Sequence, residues 1–258
     1  LFLATAISCS FDMKRSLNLV QLDSGARLDR SSIKPASLTV FNYRKRKGKL
    51  AMIEQLFNLK GETAVVTGAG RGIGEGIAKV LAAAGAHVVC AARRQEEIER
   101  VASEINAAGG SAAALATDVT DEAAVQALAD FAVETFGGLH MWVNNAGGSS
   151  VQRSLHKLDR AEWDRTLNLN LTAVWQCTRI AAAVMAEGRI LNISSLAAED
   201  VIAGSGHYSA AKAGVNMMTR TFAQELGPRI RVNCIMPGAV PTEIMMKALR
   251  LENDDLPN

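Results

Sequence analysis

The sequence is poor in the residues that build metal centres and disulfides. It contains four cysteines and four histidines in 258 residues. Cys9, Cys90, Cys177 and Cys234 lie far apart and form neither CxxC pairs nor a cluster with the histidines. We therefore expect no metal site and free thiols. Free thiols are typical of a reducing compartment, so we predict a cytoplasmic location.

Long apolar runs are absent as well. Charged residues, glycine or serine interrupt every apolar stretch before it reaches the roughly 18 residues of a membrane-spanning helix. Residues 1–51 contain ten Lys and Arg against three Asp, so the formal charge of this segment is +7. Because the whole chain has a net charge of +2, the remaining residues carry −5. A negatively charged folded part is not expected to bind nucleic acid. The length and the 48% hydrophobic content instead favour one soluble domain.

We predict that residues 1–57 form a disordered basic leader. They mix Ser, Lys and Arg with scattered apolar positions, show no sustained period, and include the basic run Arg44–Lys49. Three origins compete: a plastid or mitochondrial targeting segment, a genuine basic arm, or translation begun upstream of a true start at Met52. We favour the third. A secretory signal is disfavoured because no positive region precedes LFLATAISCS.

From Leu59 onward, short β-rich runs alternate with Ala-rich helical stretches, a pattern typical of βαβ units and a parallel sheet. We predict an α/β fold for residues 58–258, a Rossmann-type doubly wound parallel sheet with strand order 3-2-1-4-5-6. Ligands of such sheets bind at the carboxyl ends of the strands, where the order reverses between strands 1 and 4. The predicted strands are Thr63–Thr67, His87–Ala91, Ser111–Ala116, His140–Asn144, Arg189–Ser194 and Arg231–Met236.

A glycine-rich turn, TGAGRGIG, directly follows the first predicted strand and opens a helix. A helix N-terminus offers N–H donors and a positive dipole end to a pyrophosphate, and missing side chains let the phosphates approach. The spacing of Gly68, Gly72 and Gly74 is TGxxxGxG rather than GxGxxG. Such a turn alone could also be an ordinary tight connection. Arg71 and Ile73 complete the candidate loop.

The end of the second strand predicts the cofactor preference. Roughly twenty residues beyond the glycines, NAD enzymes usually have a carboxylate that binds the adenosine ribose. Here Ala92 stands at that place and Arg93 follows. A guanidinium suits the 2′-phosphate of NADP, so we predict NADP(H), with NAD(H) as the alternative. Arg71 and Arg94 could each add positive charge or be solvated side chains.

The motif YxxxK, from Tyr208 to Lys212, places both side chains on one face of a helix. A nearby ammonium favours the phenolate, so the lysine is expected to lower the tyrosine pKa. The tyrosine could then exchange a proton with an alcohol or carbonyl oxygen. A surface tyrosine with a solvated lysine is the alternative interpretation. Ser194 and His207 are expected to be structural.

Four motifs, in this order, resemble the short-chain dehydrogenase/reductase family: TGxxxGxG at Thr67–Gly74, NNAG at Asn144–Gly147, YxxxK at Tyr208–Lys212 and PGxxxT at Pro237–Thr242. The resemblance covers roughly residues 59–245. Each motif is modest alone, but their conjunction at predicted strand ends disfavours coincidence.

The resemblance implies a catalytic group. Ser195 ends ILNISS thirteen positions before Tyr208 and is expected to orient the substrate oxygen. An asparagine in LNLNLTAV, within the helix after the fourth strand, is expected to hold a water that links the lysine to solvent. Asn168 lies two residues earlier and would point in another direction on a helix, so we choose Asn170. The implied catalytic residues are Asn170, Ser195, Tyr208 and Lys212.

The resemblance also implies a cofactor site. Asp118 and Val119 match the adenine-binding pair, although Asp118, Thr120 or Asp121 could instead cap the next helix. NNAG is expected to line the cofactor groove and PGxxxT to contact the nicotinamide. The predicted cofactor-binding residues are Gly68, Arg71, Gly72, Ile73, Gly74, Arg93, Asp118, Val119, Asn145, Ala146, Gly147, Tyr208, Lys212, Pro237, Gly238 and Thr242.

An oxidoreductase follows from the resemblance, transferring hydride between NADP(H) and a small secondary alcohol or ketone. Hydroxysteroid dehydrogenases and 3-oxoacyl carrier-protein reductases are the most similar types. Assembly into a homodimer or homotetramer is expected for the full-length protein. The alternative function is a catalytically silent NAD(P)-binding sensor or scaffold. Family members usually continue past PGxxxT with covering helices and a seventh strand, so we expect a C-terminally truncated domain without that strand.

Overall fold

The computed structural model describes residues 58–149, 151–238 and 240. The predicted leader, 1–57, and Thr242 lie outside these residues. In the described part, no helix is both long and apolar enough to span a membrane.

A six-stranded parallel sheet forms the centre of the described domain, with the order β3-β2-β1-β4-β5-β6. This order confirms the predicted Rossmann-type fold. Four strands differ from the prediction at their ends: β2 gains a residue, β4 loses its first, and β5 and β6 begin and end one residue earlier. The strands are β1 (Thr63–Thr67), β2 (His87–Ala92), β3 (Ser111–Ala116), β4 (Met141–Asn144), β5 (Gly188–Ile193) and β6 (Ile230–Ile235).

Helices connect the parallel strands, as the crossover geometry of such sheets requires. A π-helical turn, Asn168–Thr172, joins two helices after β4, and short 3₁₀ turns occur at Leu155–Lys157 and Leu196–Ala198. The helices are α1 (Gly72–Ala83), α2 (Gln95–Ala107), α3 (Glu122–Phe136), α4 (Arg160–Leu167), α5 (Ala173–Val184) and α6 (Gly206–Leu226).

The inner strands β1, β2 and β4 are buried on both faces, which explains why they are nearly continuous apolar runs, whereas the edge strands β3 and β6 are only partly buried. Every residue of β1 is buried, with alternate side chains facing opposite layers. Val65 packs with Trp142 and with Leu128 of α3 in one apolar cluster. Val66 packs in the other cluster, with Ile98 of α2. The two apolar clusters pack against opposite faces of the sheet, and the polar residues considered below lie at the ends of the strands.

The strand order reverses between β1 and β4, and a hydroxyl joins the ends of these two strands. The buried Thr67 Oγ1 donates to the Val143 carbonyl at 3.1 Å. The same oxygen accepts from the backbone N–H groups of Asn145, at 3.0 Å, and Ala146, at 3.1 Å. The crevice at this edge is therefore built from fixed backbone.

Candidate active site

The glycine loop after β1 is closely packed against the loop after β4. Gly68 has a φ of +66°, and a Cβ there would lie 2.8 Å from Asn145 Nδ2. A Cβ at Gly74 would lie only 2.2 Å from the Gly68 carbonyl oxygen. Asn145 Nδ2 donates to the Thr67 carbonyl at 2.8 Å. Side chains are thus excluded at Gly68 and Gly74, and the bare backbone there fits a pyrophosphate at the start of α1.

A residue of α2 binds the backbone of this loop, a contact that we did not predict from the sequence. Arg100 donates to the Gly70 carbonyl at 3.0 Å and pairs with Glu75 of α1 at 2.8 Å. Glu104, one turn further, accepts from the same guanidinium at 2.7 Å. The i,i+4 spacing predicts the pairing of Arg100 with Glu104. It does not predict the bond to Gly70, which lies thirty residues before Arg100.

The edge beyond β2 combines positive charge with one acidic residue. Arg93 is exposed and follows Ala92, as the sequence order requires. Arg94, the N-cap residue of α2, forms an ion pair with Glu97 of the same helix at 2.9 Å. Arg71 lies at the N-cap position of α1, where its side chain makes no capping hydrogen bond. The exposed guanidinium nearest the strand end is therefore that of Arg93.

Asp118 lies near the same edge, after β3. Its carboxylate accepts from the Thr120 backbone N–H at 2.9 Å and from the Thr120 hydroxyl at 2.7 Å. These two bonds, and then the charge of Arg93, lower the Asp118 pKa although burial opposes them. Asp121, not Asp118, caps α3, because its side chain accepts from the Ala123 N–H at 2.9 Å. Val119 is buried beside them.

Ser195, Tyr208 and Lys212 come together beyond the carboxyl end of β5. Ser195 caps a 3₁₀ turn, accepting from the Ala197 N–H at 3.1 Å, and its side chain is hydrogen-bonded to Tyr208. Tyr208 lies in the first turn of α6. Lys212 Nζ, one turn later, is 5.6 Å from the Tyr208 ring centroid and donates to the Ile193 carbonyl at 2.8 Å. The predicted triad is thus one contiguous group.

Burial dominates the titration of this group. It raises the Tyr208 pKa, although the hydrogen bond with Ser195 acts in the opposite direction. It lowers the Lys212 pKa to about 8. The net shift of the Tyr208 pKa is thus opposite to the lowering that the adjacent lysine was expected to produce. The reason is that both groups lie in a dry environment, where desolvation disfavours phenolate and ammonium alike.

Asn170 is fully buried, and it lies in the π-helical turn rather than in the regular helix that was expected. Its Oδ1 accepts from the Gly148 N–H at 2.8 Å. Its Nδ2 donates to the Gly148 carbonyl at 2.9 Å and to the Thr166 carbonyl at 3.0 Å. Asn168, by contrast, is exposed. A π-turn of this kind re-aims a side chain and is frequent at functional sites.

Gly147 connects this asparagine to the lysine. A Cβ at Gly147 would lie 2.8 Å from Asn170 Oδ1 and 3.5 Å from Lys212 Nζ. The NNAG loop therefore passes directly over both side chains. Its Asn144 side chain, in contrast, points into the core, where Nδ2 donates to Asn192 Oδ1 at 2.8 Å. That buried amide pair links β4 to β5, a partnership that no local pattern indicated.

The segment after β6 completes the described edge. The Leu196 N–H donates to the Pro237 carbonyl at 3.1 Å. A Cβ at Gly238 would lie 3.2 Å from Leu196 Cδ1. Pro237 and Gly238 are therefore placed next to Ser195, whereas Thr242 lies outside the described residues.

Comparisons with known proteins agree with this geometry. The family model described as short chain dehydrogenase matches residues 62–253. The chain is 42% identical over 195 residues to 3beta-hydroxysteroid dehydrogenase 1 of Eggerthella lenta, covering 72% of this chain and 74% of that one. It is 36% identical over 198 residues to 7alpha-hydroxysteroid dehydrogenase of Escherichia coli K12, covering 75% and 77%.

Solved structures show the same relationship. A short chain dehydrogenase of Burkholderia cenocepacia in complex with NADP superposes with a TM-score of 0.69 at 41% identity, covering 72% of this chain and 78% of that one. A 7alpha-hydroxysteroid dehydrogenase complexed with NADH and 7-oxo glycochenodeoxycholic acid gives 0.71 at 36% identity, covering 74% and 76%. The fold and site define an NAD(P)-dependent oxidoreductase acting on CH–OH groups. The chain belongs to the short-chain dehydrogenase/reductase family.

Proposed function

We propose that this chain transfers hydride between NADP(H) and a secondary alcohol or its ketone, with Tyr208 as the proton donor and acceptor. The observation that carries the proposal is the contact of Tyr208 with Ser195 and Lys212 beside the loop of Gly147. A buried tyrosine with a hydroxyl partner and an adjacent lysine matches acid–base work on a C–O oxygen.

The glycine cradle supports a dinucleotide site. At Gly68 and Gly74 any side chain would meet the facing loop, so bare backbone is retained where phosphates would bind. Ala92 and the exposed Arg93 favour the 2′-phosphate of NADP over the bare ribose of NAD. The solved relative with NADP supports this choice, and the relative with NADH keeps NAD(H) as the alternative.

The chain's own residues would handle the proton and the substrate oxygen. A bound nicotinamide cofactor supplies or accepts the hydride. Ser195 and Tyr208 would hold the substrate oxygen, and Tyr208 would give it a proton during reduction or take one during oxidation. Burial raises the Tyr208 pKa, which favours the protonated phenol that reduction requires. Lys212 would bring positive charge close to the phenol and contact the nicotinamide ribose.

Asn170 would act on the loop above the lysine. Among the residues that the structure describes, its hydrogen-bond partners are backbone groups of Gly148 and Thr166. We assign to it the placement of Gly147 and Gly148 against Lys212. The water-holding role that the family resemblance implies stays a prediction.

A cyclic, largely apolar alcohol or ketone is the substrate class we favour. Large apolar side chains stand exposed just after Ser195, namely Leu196 at 44%, Val201 at 99% and Ile202 at 45%. The hydroxysteroid dehydrogenases among the relatives bear names of ring alcohols, as does a cis-4-hydroxycyclohexanecarboxylate dehydrogenase of Sinomonas cyclohexanicum. We expect the enzyme to work in the cytoplasm on small molecules.

We also propose a homodimer or homotetramer. Trp175 of α5 and Met217 of α6 are 44% and 60% exposed and line one open groove together with Phe222. Exposed large apolar residues in a contiguous groove are typical of protein contacts. Light scattering on the purified chain measures the mass directly, and a monomer at all concentrations would contradict this part.

To test the proposed function, NADPH absorbance is followed after the purified protein is mixed with NADPH and one candidate substrate at a time. The candidates are substituted cyclohexanones, a keto steroid and a 3-oxoacyl thioester. We expect oxidation with the cyclic ketones and none without a ketone. Tight NADPH binding without oxidation by any ketone would contradict the proposal and favour the silent sensor.

A further inference from the structure

The residue before the catalytic tyrosine, His207, has an environment that the proposed chemistry does not use. It is completely buried at the start of α6. Ser205, the N-cap of this helix, makes no side-chain capping hydrogen bond. The first turn of α6 therefore carries Tyr208 without the usual side-chain cap that fixes a helix start. The imidazole is the polar side chain that anchors this turn.

Its hydrogen bonds define which ring nitrogen carries the proton. Ser149 Oγ lies 3.2 Å from His207 Nε2 and 3.2 Å from the Val151 carbonyl. A carbonyl only accepts, so both contacts are hydrogen bonds when the single hydroxyl proton goes to Val151, and we assign it there. Nε2 must then donate to Ser149. His207 is thus a neutral imidazole protonated at Nε2, and its buried Nδ1 has no hydrogen-bond partner among the described residues.

A buried carboxylate lies near the same ring nitrogen, beyond hydrogen-bond distance. Glu162 of α4 is 4% exposed, and its Oε1 is 3.9 Å from His207 Nε2. Oε1 also accepts from the Thr166 hydroxyl at 3.1 Å. Arg165 pairs with this carboxylate from the surface. Two exposed charged groups lie at the start of the same helix, Asp159 at the α4 N-cap and Arg153 at 4.0 Å from it.

Two routes lead from this cluster to the catalytic group. Thr166, bonded to Glu162 by its hydroxyl, accepts from Asn170 Nδ2 with its carbonyl. Ser149, bonded to His207, directly follows Gly148, whose N–H and carbonyl are both held by Asn170. The imidazole therefore ties the turn that bears Tyr208 to the loop that covers Lys212.

We propose that His207 is a positioning residue whose Nε2–H, donated to Ser149 beside the buried Glu162 carboxylate, fixes Tyr208 and the Gly147–Gly148 backbone relative to Lys212. This inference rests on the proposed function, since it assigns His207 a role in the same reaction. Protonation of Nδ1 would place an unpartnered N–H in a dry site, which agrees with the lowering of the His207 pKa by burial. The neutral tautomer is the working form.

The tautomer gives a sharp test. A glutamine places its amide N–H near the position of Nε2, whereas an asparagine reaches only that of Nδ1. We expect His207→Asn and His207→Phe to lower kcat for ketone reduction at least tenfold with the NADPH Kd changed less than twofold. His207→Gln should recover most of kcat. Ser149→Ala should act like His207→Phe, and the double variant should be no worse than either single one.

A second readout does not depend on turnover. The Tyr208 pKa is measured by tyrosinate absorbance against a Tyr208→Phe reference, and it should move toward its ordinary value in His207→Phe, His207→Asn and Ser149→Ala but not in His207→Gln. If the unmodified chain reduces no ketone, the proposed function fails while this titration still decides on His207. Equal kcat and Tyr208 pKa for Gln and Asn, or additive effects of His207→Phe and Ser149→Ala, would overturn the positioning role. Should His207→Phe fail to fold, Ser149→Ala decides alone.

Discussion

Two glycines of α1, only two residues apart, should respond in opposite ways to the same added methyl group. At Gly76 a Cβ would meet nothing within 4 Å. Replacement by alanine removes backbone freedom of the unfolded chain, so Gly76→Ala should stabilise the protein by about 0.5–1 kcal/mol. At Gly74 the new Cβ would lie 2.2 Å from the Gly68 carbonyl oxygen and 2.4 Å from Asn145 Nδ2.

The clash at Gly74 should exceed the helix gain. Both neighbours belong to packed backbone or to a hydrogen-bonded amide, so the loop must shift by roughly 1 Å, and overpacking of this kind costs about 1–3 kcal/mol. We expect Gly74→Ala to lower the free energy of unfolding by about 1–2 kcal/mol. Because the displaced turn is the proposed phosphate cradle, the NADPH Kd should rise at least about tenfold, which corresponds to about 1.4 kcal/mol.

Urea denaturation and NADPH fluorescence titration measure the two effects on the matched pair. Gly76→Ala should bind NADPH like the unmodified chain and unfold at a higher urea concentration. If Gly74→Ala bound NADPH equally well, the glycine turn would not be the phosphate site, and if it were as stable as Gly76→Ala, the contact argument would be refuted.

Three further outcomes follow from charges in the site. NADPH should bind at least about tenfold tighter than NADH, and Ala92→Asp with Arg93→Ile should reverse the order in parallel titrations; equal affinities in the unmodified chain would contradict the assignment. NADPH affinity should fall as pH rises through about 8, where the Lys212 ammonium loses its proton, and Lys212→Met should show weaker binding without that dependence. His207 has a folded pKa below the unfolded value of 6.5, so stability should fall as pH drops below 6.5; thermal melts should show a smaller acid loss in His207→Gln.

Local patterns were sufficient to predict the sheet and the motif positions. β1 lies where its apolar run placed it, since a strand buried on both faces has an uninterrupted apolar sequence. The half-buried edge strand β3 also has its predicted bounds. Tyr208 and Lys212 share a helix face because i,i+4 spacing fixes it. Because all strands of the predicted sheet are parallel, the motifs that follow them were expected to lie at the same edge, that of the carboxyl ends.

Contacts between distant segments could not be predicted in this way. Arg100 reaches the Gly70 carbonyl and His207 faces Glu162 only because helices from different βαβ units pack side by side. The π-turn around Asn170 has a sequence, NLNLT, that also suits a regular helix. The Tyr208 pKa depends on a competition between burial and charge, and burial is a property of the whole fold.

One measurement tests the central claim most directly: NADPH oxidation and NADPH affinity of Tyr208→Phe beside the unmodified chain, with a reducible cyclic ketone. The substitution removes the phenol oxygen and keeps the ring beside Lys212. We expect the NADPH Kd to stay within twofold, roughly 0.4 kcal/mol, while turnover falls by about a thousandfold or more. Turnover near that of the unmodified chain would show that the transferred proton comes from another group, and the assignment of this site would be wrong.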